Sequence, residues 1–244
     1  MGCGLQVTRV QYALVKKNLV KTSLIILTRN EIAGVHRLLG QIPFESVDEY
    51  FAVDYDSHDG TVEYFMHHHI PVLHQVKRGR AEAFRLGAQA ARGDILIFFS
   101  PDGNEDPHDI PPLIQAVRNG ADLAIASRFI HGARNEEDDK HLKFRKWANQ
   151  GFTYAANLFF RRHAPKITDT INGYRAITKR AFESLHLNAE GFAIEYQMTI
   201  RALKKGLTIR EIPTHEGNRV GGKSGSAAVP TGISFLWYLL LELV

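Results

Sequence analysis

The chain has 244 residues, of which 44% are hydrophobic and 23% are charged, and it contains no low-complexity tract. This length and composition predict one folded α/β domain and exclude a disordered or repetitive protein. The net charge is +4, and the Lys and Arg residues are scattered along the chain. We therefore expect an anionic ligand or a membrane surface as partner, and no nucleic acid.

Residues 1–21 precede the first predicted strand and form an N-terminal extension. They lack the apolar core of a secretory signal peptide. The single cysteine, Cys3, cannot form an internal disulfide and is typical of a reducing compartment. These features favour a cytoplasmic protein, either free or bound peripherally to the cytosolic face of a membrane.

Strand-like apolar runs alternate with helical patterns from Thr22 onward. The predicted strands are residues 23–28, 50–53, 70–75, 95–99 and 121–126, and the predicted helices are residues 31–41, those following Thr61, 80–91 and 109–119. This alternation predicts a Rossmann-like, mostly parallel sheet that is flanked by helices on both faces. Ligands of such sheets bind beyond the carboxyl ends of the strands.

The second half of the chain, from about residue 140, is predicted to be more helical and to supply basic and polar loops. No linker marks a second domain, so residues 22–226 are predicted to form a single domain. Residues 227–244 are predicted to form an apolar C-terminal helix, in which the stretch from Ile233 to Val244 is interrupted only by polar Ser234 and Glu242. Such a helix either packs on its own domain or lies in a membrane interface, and Trp237 and Tyr238 favour the interface.

A polar cluster, residues 100–107, follows the most apolar predicted strand. Ser100, Asp102 and Asn104 alternate, so in an extended segment their side chains point to the same side. Oxygen donors of this kind suit Mg²⁺ or Mn²⁺, which share their ligands with substrate phosphates. The alternative is an Asx-type turn that caps the next helix, and spacing alone does not separate the two.

A second polar cluster, residues 54–61, follows the second predicted strand. Asp54 stands at the strand end, where it can accept hydrogen bonds from a base or ribose. Asp59 or Ser57 is predicted to cap the helix that begins at Thr61.

Taken in order, these motifs resemble family 2 glycosyltransferases over residues 22–224. The first half carries Thr28-Arg29-Asn30-Glu31, Val53-Asp54, Gly79-Arg80-Ala81, the polar cluster 100–107 and Ser127-Arg128-Phe129. The second half is similar to the polyprenyl-phosphate (dolichol-phosphate) mannosyltransferase branch, through Asp169, Gly173-Tyr174-Arg175-Ala176, Glu195, Glu211-Ile212-Pro213, Arg219, Gly222 and Ser224.

The resemblance implies a GT-A fold, a nucleoside-diphosphate sugar donor linked to UDP or GDP, and inversion at the anomeric carbon. It implies a divalent metal, Mg²⁺ or Mn²⁺, with Asp102, Asn104 and Ser100 as ligands. The donor-binding residues that it implies are Thr28, Asn30, Glu31, Asp54, Asp56, Gly79, Arg80, Ser100 and Pro101.

Three positions depart from the family pattern. Ser100 replaces the first carboxylate of the Asp-x-Asp motif and so removes one charged ligand. Tyr55 replaces the second of two paired aspartates, which leaves the base unassigned. Gly225 stands where the branch commonly has Lys.

The chemistry of sugar transfer assigns the remaining candidates. The leaving diphosphate accumulates negative charge, and Arg128, Arg145 and Arg219 are the candidate cations for it and for an acceptor phosphate. A phosphate acceptor is already ionised and needs no base. With a hydroxyl acceptor, Asp169 or Glu195 is the candidate base. The alternative for Arg145 is a solvated helix face.

The predicted function is transfer of a sugar from a nucleotide donor to a polyprenyl phosphate. The alternatives are a saccharide or other hydroxyl acceptor, and a nucleotide-binding relative without turnover. A nucleotidyltransferase is disfavoured because residues 27–31 lack glycine. Residues 217–224 match the P-loop pattern, but Gly225, Pro230 and Gly232 follow where that motif needs a helix. His67-His68-His69 cannot share one helical face around zinc.

Overall fold

The computed structural model describes residues 20–139, 142–162, 164–221 and 228–244. Its strands are β1 (Thr22–Thr28), β2 (Glu49–Asp54), β3 (Val72–His74), β4 (Ile95–Phe99), β5 (Leu123–Ser127), β6 (Arg175–Thr178) and β7 (Ile209–Pro213). They form one sheet in the order β3-β2-β1-β4-β6-β5-β7. Strand β6 is antiparallel to β4 and β5, and the other pairs are parallel. The predicted α/β class with a mostly parallel sheet is confirmed.

Helices cover both faces of this sheet. They are α1 (Ile32–Leu38), α2 (Thr61–His67), α3 (Arg80–Ala90), α4 (Ile110–Arg118), α5 (Phe144–Phe160), α6 (Lys179–Ser184), α7 (Ala193–Lys205) and α8 (Ala228–Leu243), with short 3-10 helices at Leu39–Gln41, Phe44–Ser46 and Pro107–Asp109. Helices α1, α2 and α4 pack on one face. Helices α3 and α5 to α8 pack on the other.

The central strands are buried on both faces, which explains their continuous apolar sequence. In β1, Leu24 and Ile26 enter one core, whereas Ile25 and Leu27 enter the other. All five residues of β4 are buried, and its bounds agree with the predicted 95–99. Because they run in the same direction, strands β1, β2, β4, β5 and β7 have their carboxyl ends at one edge of the sheet.

The second half of the chain differs from its prediction because it contains two strands. Strand β6 has only four residues and includes the charged Arg175, so its sequence does not show the apolar alternation of a strand. Arg175 is nevertheless fully buried, since its guanidinium donates to the carbonyl oxygens of Asn172 and Glu195. The predicted residues Gly222, Ser224 and Gly225, and most of the N-terminal extension, lie outside the described residues.

The C-terminal helix α8 packs on the domain with one face and exposes apolar side chains on the others. Phe235 and Leu239 are buried against the core. Trp237 and Leu240 are at least half exposed. None of the helices in the described ranges combines the length and hydrophobicity needed to cross a bilayer.

Glu242 attaches the end of α8 to α7 through hydrogen bonds. Its Oε1 accepts from Arg201 Nε at 2.5 Å and from Gln197 Nε2 at 3.0 Å, and its Oε2 lies 3.2 Å from Lys204 Nζ. The Glu242 side chain is 6% exposed, so these donors replace the water that it loses on burial. The one acidic residue of this apolar helix is thus a docking contact.

Replacing Glu242 tests this attachment. Glu242→Ala leaves Gln197 and Arg201 without their acceptor, so we expect the free energy of unfolding to fall by about 1–3 kcal/mol. Urea unfolding followed by circular dichroism measures the change. Exposed Glu183 on α6 provides the control, and Glu183→Ala should shift stability by no more than about 0.5 kcal/mol. Equal midpoints for the two variants would contradict the attachment.

Candidate functional site

A cavity of about 1040 Å³ opens at the carboxyl edge of the sheet. The loops after β1, β4, β5 and β7 line it, together with the first turns of α3, α5 and α8. Ten of the predicted site residues line this cavity: Thr28, Glu31, Gly79, Arg80, Ser100, Asp102, Asn104, Arg128, Arg145 and Arg219. Residues more than 190 positions apart in the sequence therefore share one site.

Asp54 lies behind the cavity wall and organises the loops of the site. Its Oδ2 accepts from Thr28 Oγ at 2.9 Å and from Ser57 Oγ at 2.6 Å, and its Oδ1 accepts from the Ser57 amide at 3.0 Å. The side chain is 1% exposed. Both oxygens already bind the protein, which argues against the predicted direct contact of Asp54 with a base or ribose.

The neighbouring polar residues also serve the loops. Asn30 accepts from the His58 amide, and exposed Asp56 pairs with His58 at 3.2 Å, so neither lines the cavity. Gly60 occupies the N-cap position of α2, but Asp59 Oδ1 accepts from the Thr61 amide in the first turn of that helix at 3.1 Å. Asp59 Oδ2 also accepts from the amide of Ile32 at the start of α1, so the predicted contact of Asp59 with the start of α2 is present.

The segment after β4 is a turn. Asp102 Oδ1 accepts from the Asn104 amide at 3.0 Å, and Gly103 has a φ of 97°. The prediction of an extended segment is therefore wrong, and the alternative of an Asx-type turn is correct at Asp102. The turn still presents Ser100, Asp102 and Asn104 to the cavity, whereas Pro101 does not line it.

Residues 217–221 lie across this turn. The Gly217 amide donates to Asn104 O at 3.0 Å, and the Val220 amide donates to Asp102 O at 2.8 Å. A side chain at Gly103 would approach Val220 Cγ2 to 2.6 Å, so glycine permits this close contact. The first part of the P-loop-like sequence is therefore a covering loop, and residues 222–224 lie outside the described part of the chain.

Arg219 of this loop bridges two carboxylates. Its Nη1 donates to Asp102 Oδ2 at 2.7 Å, and its Nη2 donates to Glu31 Oε1. Burial raises the pKa of Glu31 to about 7, although Arg219 opposes this shift. The predicted cation and the predicted metal ligand thus contact each other directly.

Arg80 occupies the opposite side of Asp102. Its Nε donates to Glu195, and its Nη1 donates to Ser100 Oγ at 3.1 Å. A methyl group at Gly173 would lie 2.0 Å from Arg80 Nη2, so this guanidinium fits only beside glycine. Glu195 lines the cavity and its Oε1 accepts from Arg80, whereas its Oε2 has no hydrogen-bond partner among the described residues, so its role as a base stays a prediction.

Arg128 is held by two carboxylates. Its Nε and Nη2 donate to Asp169 at 2.7 and 3.1 Å, and its Nη1 donates to Glu216 at 3.1 Å. Burial disfavours the charged guanidinium, but Asp169 and Glu216 outweigh it and raise the pKa of Arg128 further. Asp169 is fully buried and does not line the cavity, which argues against its predicted role as a base for a hydroxyl acceptor.

Arg145 lies in the first turn of α5, at the mouth of the cavity. Its side chain is 45% exposed, and its Nη1 lies 3.5 Å from Glu136 Oε1. The exposure agrees with the alternative of a solvated helix face, and the same side chain also lines the cavity, so its contact with a phosphate stays a prediction.

Several residues line the cavity but are not among the predicted site residues: Arg29, Tyr55, Arg78, Glu105 and Glu216. Arg78 adjoins the selected Gly79-Arg80 pair, and Glu105 lies within the selected polar cluster. Burial raises the pKa of Glu105 to about 8, partly opposed by Arg80. Both residues could have been identified from the sequence, because they lie in or beside motifs that were predicted to form the site.

A divalent metal fits this site only with ligands from the substrate. The described residues contain no group of three His, Cys, Asp or Glu side chains arranged to hold a metal ion. However, Asn104 Oδ1 is buried without a hydrogen-bond partner, and it adjoins the Asp102 carboxylate in the same turn. Mg²⁺ commonly binds one or two protein oxygens and completes its shell with phosphate and water. The donor set therefore suits a metal bound together with a diphosphate.

The open α/β sheet, with an acidic turn after β4 and a cavity at the carboxyl edge, defines the fold class as GT-A. The family model for glycosyl transferase family 2 matches residues 23–185. The chain therefore belongs to glycosyl transferase family 2, as the sequence motifs predicted.

Similar proteins extend this result. The dolichol-phosphate mannosyltransferase of Pyrococcus furiosus is 31% identical over 84% of this chain, and the alignment spans 59% of that protein. The undecaprenyl-phosphate mannosyltransferase of Micrococcus luteus is 31% identical over 84% of this chain and 90% of its own length. A structure of glucosyl-3-phosphoglycerate synthase from Mycobacterium tuberculosis with UDP has a TM-score of 0.72 at 18% identity, covering 100% of this chain and 86% of that one. This structural likeness confirms the fold.

The raised pKa of Glu105 predicts a pH-dependent stability. Between about pH 4.5 and 8 the folded state keeps a proton that the unfolded state has lost, so this carboxyl makes stability fall as pH rises. Glu105→Gln removes that dependence. As the pH rises from 5 to 8, we expect the free energy of unfolding of the variant to increase relative to that of wild type. The increase should be at most about 1.4 kcal/mol per pH unit. Urea midpoints at both pH values, in EDTA, measure the gain, and a constant difference would contradict the pKa shift.

Proposed function

We propose that this protein is an inverting glycosyltransferase that transfers a sugar from a nucleoside-diphosphate donor to a polyprenyl phosphate. The observation that carries the proposal is the composition of the cavity. Its inner part holds the acidic turn with Asp102 and Asn104, and its mouth is lined by apolar Phe144, Ile233 and Leu236. A charged donor and a lipid-linked acceptor would each find a matching surface in one cavity.

The donor would occupy the part of the cavity that lies at the carboxyl ends of β1 to β3. Tyr55 and Arg29 contact each other there, with the guanidinium 5.5 Å from the ring centroid, and Arg78 lines the same wall. An aromatic ring and guanidinium groups suit a base and phosphates. Thr28 and Gly79 lie beside them, so this wall is the proposed nucleotide site.

Asp102 and Asn104 would hold the divalent cation, which supplies positive charge to the leaving diphosphate. Arg219 adds a guanidinium at the same place, next to Asp102. Arg128 has all its described donors engaged by carboxylates, so its proposed role is to hold the loops after β5 and β7. This replaces its earlier assignment as a diphosphate contact.

The acceptor would enter past α5 and α8. Arg145 and Lys146 line the mouth and provide positive charge for a phosphate. An ionised phosphate oxygen is itself a nucleophile, which agrees with the pairing of both Asp169 oxygens with Arg128. The site therefore supports a phosphate acceptor without requiring a general base.

The outer surface beside this mouth suits a membrane. On α5, Phe144, Trp147, Tyr154 and Leu158 follow helical spacing and are all more than half exposed. Helix α8 packs beside α5 and exposes Ile233, Leu236, Trp237 and Leu240. Large exposed apolar areas mark interaction surfaces, and aromatic side chains favour the headgroup level. We propose peripheral binding to the cytosolic face of a membrane, with the mouth facing the lipid.

Donor binding can be tested through Asp102. A ligand that binds only the folded state raises stability, by about 2.7 kcal/mol at a hundredfold excess over Kd. Wild type should show a melting-temperature increase with UDP or GDP plus Mn²⁺ and lose it in EDTA. Asp102→Ala should abolish the Mn²⁺-dependent increase, because it removes a charged oxygen of the metal site. An unchanged increase in Asp102→Ala would reject the assignment of Asp102.

The membrane surface can be tested by vesicle binding. Trp237→Ser with Leu240→Ser should weaken sedimentation with anionic phospholipid vesicles by at least about tenfold, since both changes remove apolar area. Met66→Ser with Val76→Ser changes exposed apolar residues outside α5 and α8 and should leave binding intact. Equal losses in the two double variants would contradict a specific surface. Transfer of labelled sugar to polyprenyl phosphate, compared with water-soluble saccharides, separates the lipid acceptor from the hydroxyl alternative.

A further inference from the structure

We infer that Glu105 supplies the carboxylate oxygen that Ser100 has removed from the divalent-cation site. This inference rests on the proposed function, and it identifies a ligand that the motif comparison places elsewhere. It concerns a residue five positions downstream of the altered one, within the same turn.

The backbone of Ser100 holds the Glu105 carboxylate at this position. The Ser100 amide donates to Glu105 Oε2 at 2.6 Å, so the side chain folds back to the residue where the motif has lost its acid. Glu105 lines the cavity with Asp102 and Asn104, and its side chain is 10% exposed. A carboxyl oxygen is therefore available at the start of the turn without an aspartate at position 100.

Once ionised, the Glu105 carboxylate would be incompletely balanced within the described residues. Arg80 is the one cationic side chain there within 4.0 Å of it, at that distance from Oε1. The same guanidinium already donates to Glu195 and Ser100. A buried carboxylate requires a partner of opposite charge, and a divalent cation supplies one when it binds.

Ser100 itself is poorly suited to be the missing ligand. Its hydroxyl is neutral and accepts a hydrogen bond from Arg80 at 3.1 Å, so a guanidinium already lies against this oxygen. A metal cation at the same oxygen would meet that positive charge. The assignment of Ser100 as a metal ligand is thus less compatible with the site than that of Glu105.

Asn104 provides independent support for a cation at this turn. Its Oδ1 is buried without a hydrogen-bond partner, which is unfavourable unless a ligand binds it. Together with Asp102 and Glu105, one turn then offers an amide oxygen and two carboxylates, and hard cations prefer such oxygens.

The test is direct Mn²⁺ binding, measured by electron paramagnetic resonance of the free ion in the presence of UDP or GDP. We expect Glu105→Gln to weaken Mn²⁺ binding by at least about tenfold. The amide oxygen of Gln can still accept from the Ser100 amide, and melting in EDTA verifies the fold. The double variant Ser100→Asp with Glu105→Gln should recover most of the affinity, because it returns a carboxylate to position 100.

Asp106→Asn is the matched control, since Asp106 lies in the same segment but does not line the cavity. It should bind Mn²⁺ as wild type does. Wild-type affinity in Glu105→Gln, an equal loss in Asp106→Asn, or no recovery in the double variant would each overturn the inference. If wild type itself binds no Mn²⁺ with either nucleotide, the metal-dependent donor site fails as well. If Asp102→Ala loses binding and Glu105→Gln does not, only the Glu105 inference fails.

Discussion

Burial of carboxylates at one edge of the sheet is the constraint on which the rest of the site depends. Asp169, Glu195 and Glu216 lie among loops that exclude water, and an isolated charge there would be strongly unfavourable. Arginines from distant parts of the chain pair with them. Arg128 joins the loop after β5 to those before β6 and after β7, and Arg80 joins α3 to α7. The cavity is thus assembled by charge pairs across elements that share no sequence proximity.

Some of these charged residues stabilise the walls of the cavity, whereas others lie where the proposed reaction takes place. Arg80 and Arg128 pair with buried acids in the walls, whereas Arg219 contacts Asp102 and Glu31 at the proposed diphosphate site. In the free protein Arg219 balances the charge of Asp102. A cation and a diphosphate arriving together would provide that balance in its place, so Arg219 could turn to the diphosphate without leaving Asp102 unpaired. The same pair serves stability before binding and charge stabilisation afterwards.

The sequence was most informative where one physical requirement dominated. Strand β4 is apolar at every position because both its faces are covered, and the polar turn after it could be placed beside the ligand from topology alone. The family motifs then indicated which residues form the site. Strand β6 was missed because Arg175 is satisfied by backbone carbonyls, a contact that depends on tertiary structure. For the same reason Asp54 and Asp169 were expected to bind substrate, since a sequence cannot show that nearby amides and hydroxyls already occupy a carboxylate.

The antiparallel strand β6 has a consequence for how the protein folds. Strands β1 to β4 are linked by short crossovers and can pair as the chain emerges. Strand β6 must pair with β4, where Ile95 lies opposite Thr178, and then provide the edge for β5. Closing the long segment between β4 and β6 is entropically slow. Strands β1 to β4 are therefore expected to pair first, and β5 to β7 to be added last. Chains interrupted before β6 would then hold an exposed β4 edge, and synthesis through residue 178 is the step that protects it.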